Sequence, residues 1–136
     1  MVLSEVLHAH IPVLSEQSTV QDAVDKMDVY QFPALVICDD RSKPIAVVTE
    51  GDLCRAITST GQLRHLARRS VLEFSTHGPT TAGPETEISD ALHDMLSRGL
   101  TVLPVVKENV LLGIVLRVDL MQAILLDSVQ TSVESS

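Results

Sequence analysis

The sequence predicts an α/β (α+β) protein made of two similar half-domains that pack on each other, and three observations predict it. The chain repeats itself: TVQDAVDKM (19–27) aligns with EISDALHDM (87–95) at an offset of 68, and IAVVTEGDLCRAI (45–57) aligns with LGIVLRVDLMQAI (112–124) at an offset of 67. Within each copy the apolar period changes from helical to strand-like and back to helical. A chain of 136 residues that is 45% hydrophobic but only 2% aromatic needs an aliphatic core of Val, Leu, Ile and Ala, and it can fill one compact domain or two halves sharing a core. Two copies are too few for a solenoid, so each is expected to bury its apolar side against the other.

Each copy opens on an extended segment, Ile11 to Leu14 in the first and Pro79 to Ala82 in the second. A helix follows. Val20, Val24 and Met27 recur at helical spacing, as do Ile88, Leu92 and Met95, and Ser89 is the predicted cap of the second of these helices. Next come two short apolar runs around a polar turn, the pattern of a β-hairpin. The first runs are Leu35 to Cys38 and Leu103 to Val106, and the turns contain Asp39 to Lys43 and Lys107 to Asn109. One residue is lost between the copies at this turn, where length is cheap to change. Leu53, Ala56 and Ile57 then return to helical spacing, as do Leu120 and Ile124, with Ala123 one step off that register. Between the copies, TSTGQLRHLARRS is broken by Gly61, and QLRHLARR predicts a short helix with Arg64 and Arg68 on one side. The closing DSVQTSVESS loses apolar periodicity and is expected to fray. The resulting boundaries are 1–60 for the first motif, 61–70 for a linker, 71–127 for the second motif and 128–136 for a flexible tail.

Charge narrows the partners. The formal net charge is −8, from 18 acidic and 10 basic residues, and a surface of that sign repels nucleic acid and anionic lipid. Tyr30, Phe32 and Phe74 are the whole aromatic set, too few to stack a run of bases. Cys38 and Cys54 form no closely spaced thiol pattern, which favours two free thiols over a disulfide, a redox pair or a zinc site. MVLSEVLHAH lacks the basic and long apolar regions of a secretory signal, and no run approaches the length of a membrane span. A soluble cytoplasmic protein is expected.

The stretch VTEGDLCRAI (48–57) carries the chemistry. Thr49 and Asp52 stand three apart at a strand-to-helix junction, the spacing of a capping box, in which Thr49 bonds a first-turn N–H and the helix dipole favours Asp52. The same N–H groups bind phosphate in other settings, so one set of atoms serves either role. Arg64, Arg68 and Arg69 read as cations at the end of a short helix. They, or Arg117 beside Asp119, are also the arginines available to a ligand phosphate. His8 and His10 share an extended segment, but two His with no third ligand do not define a metal site. Cys54 reads as a small packing residue.

Taken in order, the DAVDKM and DALHDM helices, the LPVV strand (103–106), the Gly113-Ile114-Val115 strand and the TEGDL and LRVDL junctions resemble a cystathionine-β-synthase-type (CBS) domain pair, or Bateman module, over residues 1–127. The resemblance implies tandem half-domains with pseudo-twofold symmetry, their small sheets packed together and flanked by helices. It also implies an adenosine-type ligand, such as AMP, ADP, ATP or S-adenosylmethionine, in clefts between them, with no chemistry performed on it. In such proteins a strand ending in Thr or Ser, then two residues, then Asp, supplies a hydroxyl toward phosphate and a carboxylate toward ribose. Thr49 and Asp52 match. In the second half Asp119 keeps the acid while Leu116 replaces the hydroxyl. The family's Thr on the strand before the first helix corresponds to Thr81 in the second half and Val13 in the first, and its residues around the base, just before the LPVV-type strand, correspond to Ala34 and Val102.

The resulting expectation is a non-catalytic regulatory, energy-sensing module that binds an adenine nucleotide or adenosyl ligand through Thr49 and Asp52, pairs as a homodimer and reports to a separate protein target or through its own assembly. The alternative is a dimerisation scaffold with vestigial clefts, in which Thr49 and Asp52 only cap. An enzyme is disfavoured, because no Ser/His/Asp set, glycine-rich phosphate loop or metal cluster can be assembled.

Overall fold

The computed structural model describes residues 1–134, with side chains described to residue 129. The chain divides into two compact units, one formed by residues 12–79 with 109–111, the other by residues 1–11, 80–108 and the chain from Leu112 onward. The first-repeat unit contains α1 (Val20–Tyr30), β1 (Ala34–Cys38), β2 (Pro44–Thr49), α2 (Glu50–Ser59), α3 (Leu63–Arg68) and β3 (Thr76–His77). The second repeat supplies α4 (Ile88–Arg98), β4 (Val102–Lys107), β5 (Val110–Leu116) and α5 (Arg117–Glu134). The architecture is mixed helix and strand, with small sheets flanked by helices, as the sequence predicts.

In the first-repeat unit β1 and β2 pair antiparallel, with Ala34 opposite Thr49 and Ile37 opposite Ala46. Leu14, from the expected extended segment, joins β1 as a parallel bridge through Leu14 N–H to Val36 O (2.9 Å) and Cys38 N–H to Leu14 O (2.9 Å). Ala82 does the same in the other unit, donating to Pro104 O (3.0 Å) and accepting from Val106 N–H (2.8 Å). The hairpin turns differ as their lengths require. In the longer one the Asp39 carboxylate accepts the N–H of Lys43 and of Arg41, each at 2.9 Å. These bonds, the one from Lys43 first, hold its carboxyl below the usual range. The shorter turn places Glu108 (φ 52°) and Asn109 (φ 68°) in left-handed backbone, the pair of positive φ angles that a two-residue hairpin turn demands.

The segment that pairs with the outer edge of each hairpin, a strand in one unit and a single bridge in the other, comes from a stretch where no period is visible. β3 pairs with β2, Val47 opposite Thr76. In the other unit the matching place is taken by His8, whose N–H donates to Ile114 O (2.8 Å) and whose carbonyl accepts from Ile114 N–H (3.1 Å). His8 and Thr76 are 68 apart, as are Leu3 and Val71, which open two short 3₁₀ turns and are both fully buried. The repeat therefore reaches back to the chain's first residues, and residues 1–11 cluster with the second-repeat unit. Gly113 is what lets His8 lie so close: a Cβ there would stand 2.3 Å from the His8 carbonyl oxygen.

The two cores use the same positions. Val20, Ala23, Met27, Leu35, Ile37, Val48, Leu53, Ala56 and Val71 fill one, and Ile88, Ala91, Met95, Leu103, Val105, Val115, Leu120, Ala123 and Leu3 fill the other. α1 is opened by a capping box between Thr19 and Asp22. α4 departs from expectation here. Its N-cap is Glu87, not Ser89, because Ile88 N–H already donates to Met1 O (3.1 Å) and the Ile88 side chain is drawn into the core, which places Ser89 inside the first turn. α5 also runs past Asp127 to Glu134. The stretch where a tail is expected contains no Gly or Pro to stop the helix, and its last two residues, Ser135 and Ser136, lie outside the described residues.

Candidate functional site

Thr49 ends β2 in extended backbone (φ −107°, ψ 163°), and that conformation turns its hydroxyl back over the first turn of α2. Thr49 Oγ1 accepts the Asp52 N–H at 3.1 Å, and Asp52 Oδ2 accepts the Thr49 N–H at 2.9 Å. The capping box is therefore closed. Asp52 Oδ1 is also engaged, accepting from Arg55 Nη2 at 2.6 Å. Thr49 and Asp52 are half-buried, while Arg55 lies out in solvent. Beside the Asp52–Arg55 pair is an open depression of about 540 Å³, lined further by Ala56, Thr58, Ser59 and Phe74.

The second junction is built differently. Asp119 Oδ2 accepts the Leu116 N–H at 2.8 Å, but Leu116 has no hydroxyl to return the bond. The same oxygen meets His8 Nε2 at 2.9 Å. Arg117 is exposed at the start of α5, and Asp119 is met by His8 in its place.

Val13, Ala34, Thr49 and Asp52 fall in one unit, and Thr81, Val102, Arg117 and Asp119 fall in the other. In the first set Ala34 lies directly across the β1–β2 ladder from Thr49. Ala34 and Val102 are the first residues of β1 and β4, not positions ahead of the strands, and their side chains are buried. Val13 and Thr81 are exposed, each next to the residue that bridges to a strand. Arg69 forms a two-pronged pair with Glu73 (3.0 and 3.1 Å) and lies 5.0 Å over the Phe74 ring. That pairing holds the Glu73 carboxyl below its ordinary value. Arg64 and Arg68 are exposed on α3.

Cys38 and Cys54 are both free thiols. Burial, and then the neighbouring Asp39 charge, pushes the Cys38 thiol up to about 11, whereas Cys54 is exposed on α2. Among the described residues no group of three or more His, Cys, Asp or Glu is placed to hold a metal ion. Arg55 is the site residue that motif reading missed. Its only signal in the sequence is an acid and a base three apart on one helix.

The pattern that defines the CBS domain matches the chain twice, over residues 3–59 and 71–126. Arabinose 5-phosphate isomerase KdsD of Salmonella typhimurium is 31% identical over 123 residues, a stretch covering 89% of this chain and 37% of that protein. The chain thus spans little more than a third of that relative's length. Many solved structures share the fold, among them two complexes with adenosine compounds. CBSX2 in complex with AMP superposes with a TM-score of 0.81 at 22% identity, covering 93% of this chain and 98% of that one. The CBS domain pair of MJ0100, in complex with 5′-methylthioadenosine and S-adenosyl-L-methionine, gives 0.76 at 17% identity, covering 91% and 95%.

Proposed function

Because the chain belongs to the CBS domain family, we propose that it is a non-catalytic regulatory module that binds an adenine nucleotide or adenosyl ligand at the Thr49–Asp52 junction and signals through its conformation or assembly. The observation that carries this reading is the junction itself. A hydroxyl, a carboxylate and the first-turn N–H groups of α2 stand together at the end of a strand, at one of the two matching positions of a twice-matched family. A helix N-terminus favours an anionic group, and the carboxylate offers spare lone pairs to sugar hydroxyls. AMP, S-adenosylmethionine and methylthioadenosine in the two structurally similar proteins support an adenosine-type ligand here. The second junction lacks a hydroxyl and its acid is engaged by His8, so it is the weaker or empty site.

A thermal-shift panel of AMP, ADP, ATP, NAD and S-adenosylmethionine on the purified chain tests the reading. A concentration-dependent rise in melting temperature with an adenosine-type compound is the expected result, and no rise with any of them counts against it. The closed capping box favours a second reading, an interaction scaffold in which Thr49 and Asp52 serve only the helix; a flat panel would favour it.

Assembly belongs to the same proposal. Exposed apolar side chains on α2 (Ile57), α4 (Leu96) and α5 (Met121, Leu125) suit helix-mediated pairing into a homodimer, which sedimentation at micromolar concentration would detect. Among the described residues no helix is long and apolar enough to cross a membrane. A cytoplasmic location and a separate protein target complete the proposal.

A further inference from the structure

We infer that Arg55 is the phosphate-binding group of the Thr49 junction, held in place by Asp52, so that the ligand is a 5′-phosphorylated adenosine and not an adenosyl sulfonium or thioether; this rests on the reading of that junction as a ligand site. The geometry is specific. A Cβ on Gly51 would stand 3.2 Å from Arg55 Nη1 and 3.7 Å from Thr49 Oγ1, so guanidinium and hydroxyl meet over the bare Cα of the second residue of α2. Nη2 is tied to Asp52 Oδ1. A guanidinium carries five N–H donors in a rigid fork, and the Nη1 edge that faces Gly51 has no other bond among the described residues. An anion placed there would meet the Thr49 hydroxyl, the N-terminus of α2 and a pre-oriented arginine together.

Charge makes the arginine necessary. α2 reads EGDLCRAITS, so Glu50 and Asp52 flank the junction and Arg55 is the only basic residue of the helix. Without it a phosphate would approach two carboxylates against a weak helix dipole. The ordinary reading of Arg55, a surface pair three residues from its acid, explains little, since the side chain is 74% exposed and such pairs add almost nothing to stability.

The chain contains its own control. At the offset of 67, Thr49, Gly51, Asp52 and Arg55 correspond to Leu116, Val118, Asp119 and Gln122. Only the acid is retained. The three residues that converge on one spot in the first half are all replaced in the second, which is expected of groups that serve one ligand. It is not expected of helix formation, for which glycine in the first turn is a poor choice.

Isothermal titration of the full chain with AMP, adenosine and S-adenosylmethionine tests this. The unmodified chain should bind AMP more tightly than the other two. Arg55→Ala should weaken AMP on the order of tenfold while adenosine changes by less than about twofold. Gly51→Ala is the second variant. Its methyl would crowd Arg55 Nη1 at 3.2 Å and shift it from its place over the junction, while charge and Thr49 are kept and helix propensity rises, so AMP should weaken in the same direction even as the ligand-free chain gains stability. Equal losses for AMP and adenosine in Arg55→Ala, an unchanged AMP affinity, or a preference of the unmodified chain for S-adenosylmethionine would each overturn the inference and leave the ligand reading standing. Failure of the unmodified chain to bind all three would overturn both.

Discussion

Replacing Thr49 by Ala removes a helix cap and a candidate phosphate contact at once, and the chain supplies the means to separate them. The Thr19–Asp22 box at the start of α1 has the same bonds as the Thr49–Asp52 box, 3.1 Å from Asp N–H to the Thr hydroxyl and 2.9 Å from Thr N–H to the carboxylate. Loss of such a cap costs about 0.5–2 kcal/mol. Thr19→Ala and Thr49→Ala should therefore lower the stability of the ligand-free chain by similar amounts, about 1 kcal/mol each, read as a shift of the urea midpoint at unchanged slope. The ligand increment is what differs. A ligand at one hundred times its dissociation constant adds about 2.7 kcal/mol, and a tenfold loss of affinity removes about 1.4 kcal/mol of it. Thr19→Ala should keep the full increment, whereas Thr49→Ala should lose part of it, and lose more with AMP than with adenosine, which has no phosphate. Equal increments in the two variants would show that Thr49 only caps, and the scaffold reading would then stand.

Asp52→Ala should weaken an adenosine-type ligand more than Asp119→Ala, by roughly 1.5–3 kcal/mol for a charged hydrogen-bond acceptor; equal losses in calorimetry would mean that both junctions are used. Gly113→Ala should destabilise the chain by about 2–4 kcal/mol, because its Cβ would lie 2.3 Å from His8 O and 2.7 Å from Leu7 Cδ1 and the His8–Ile114 pair would have to part. An unchanged denaturation midpoint would show that the His8 segment is not seated on β5. Stability should also fall as pH rises from about 9 toward 11. The folded chain holds the Cys38 thiol neutral while the unfolded chain ionises it, so this contribution is whole below the unfolded value and is lost on approaching the folded one. Cys38→Ala should flatten that part of the profile, and an identical slope in the variant would assign it to other groups.

The repeat was readable wherever a period exists. The apolar spacing of Val20, Val24 and Met27 and of Ile88, Leu92 and Met95 marks the face of α1 and α4 that packs on each core, with Val24 and Leu92 partly buried and Ala23 and Ala91 fully buried beside them, and the alternating burial of β2 follows its sequence. Where elements are two or three residues long, as at His8 and Thr76–His77, no period can form, and the partner of His8 lies more than a hundred residues away. Ser89 has the residue type of a cap but not the place, because the residue that meets the start of α4 is Met1, through its carbonyl, and nothing local to Ser89 reports that contact.

The same distance effect explains why the two junctions diverged in kind. In both, an acid three residues into a helix closes back on the preceding backbone N–H, at 2.9 Å for Asp52 and 2.8 Å for Asp119, so the local half of the box is common to both repeats. The side-chain partner of the acid is not. Asp52 draws its cation from its own helix, one turn on, where the guanidinium is exposed and its second edge faces a glycine. Asp119 is met by His8, from the far end of the chain, at a bridge tied to β5 by two backbone bonds. A side chain anchored by a backbone bridge holds that acid closed, whereas an exposed arginine on a helix can keep one bond to its acid and turn the rest of its fork to an incoming anion. Under our proposal the first junction is the one open to a ligand, whereas the His8–Asp119 contact ties the N-terminal segment that carries the core residue Leu3 to the start of α5.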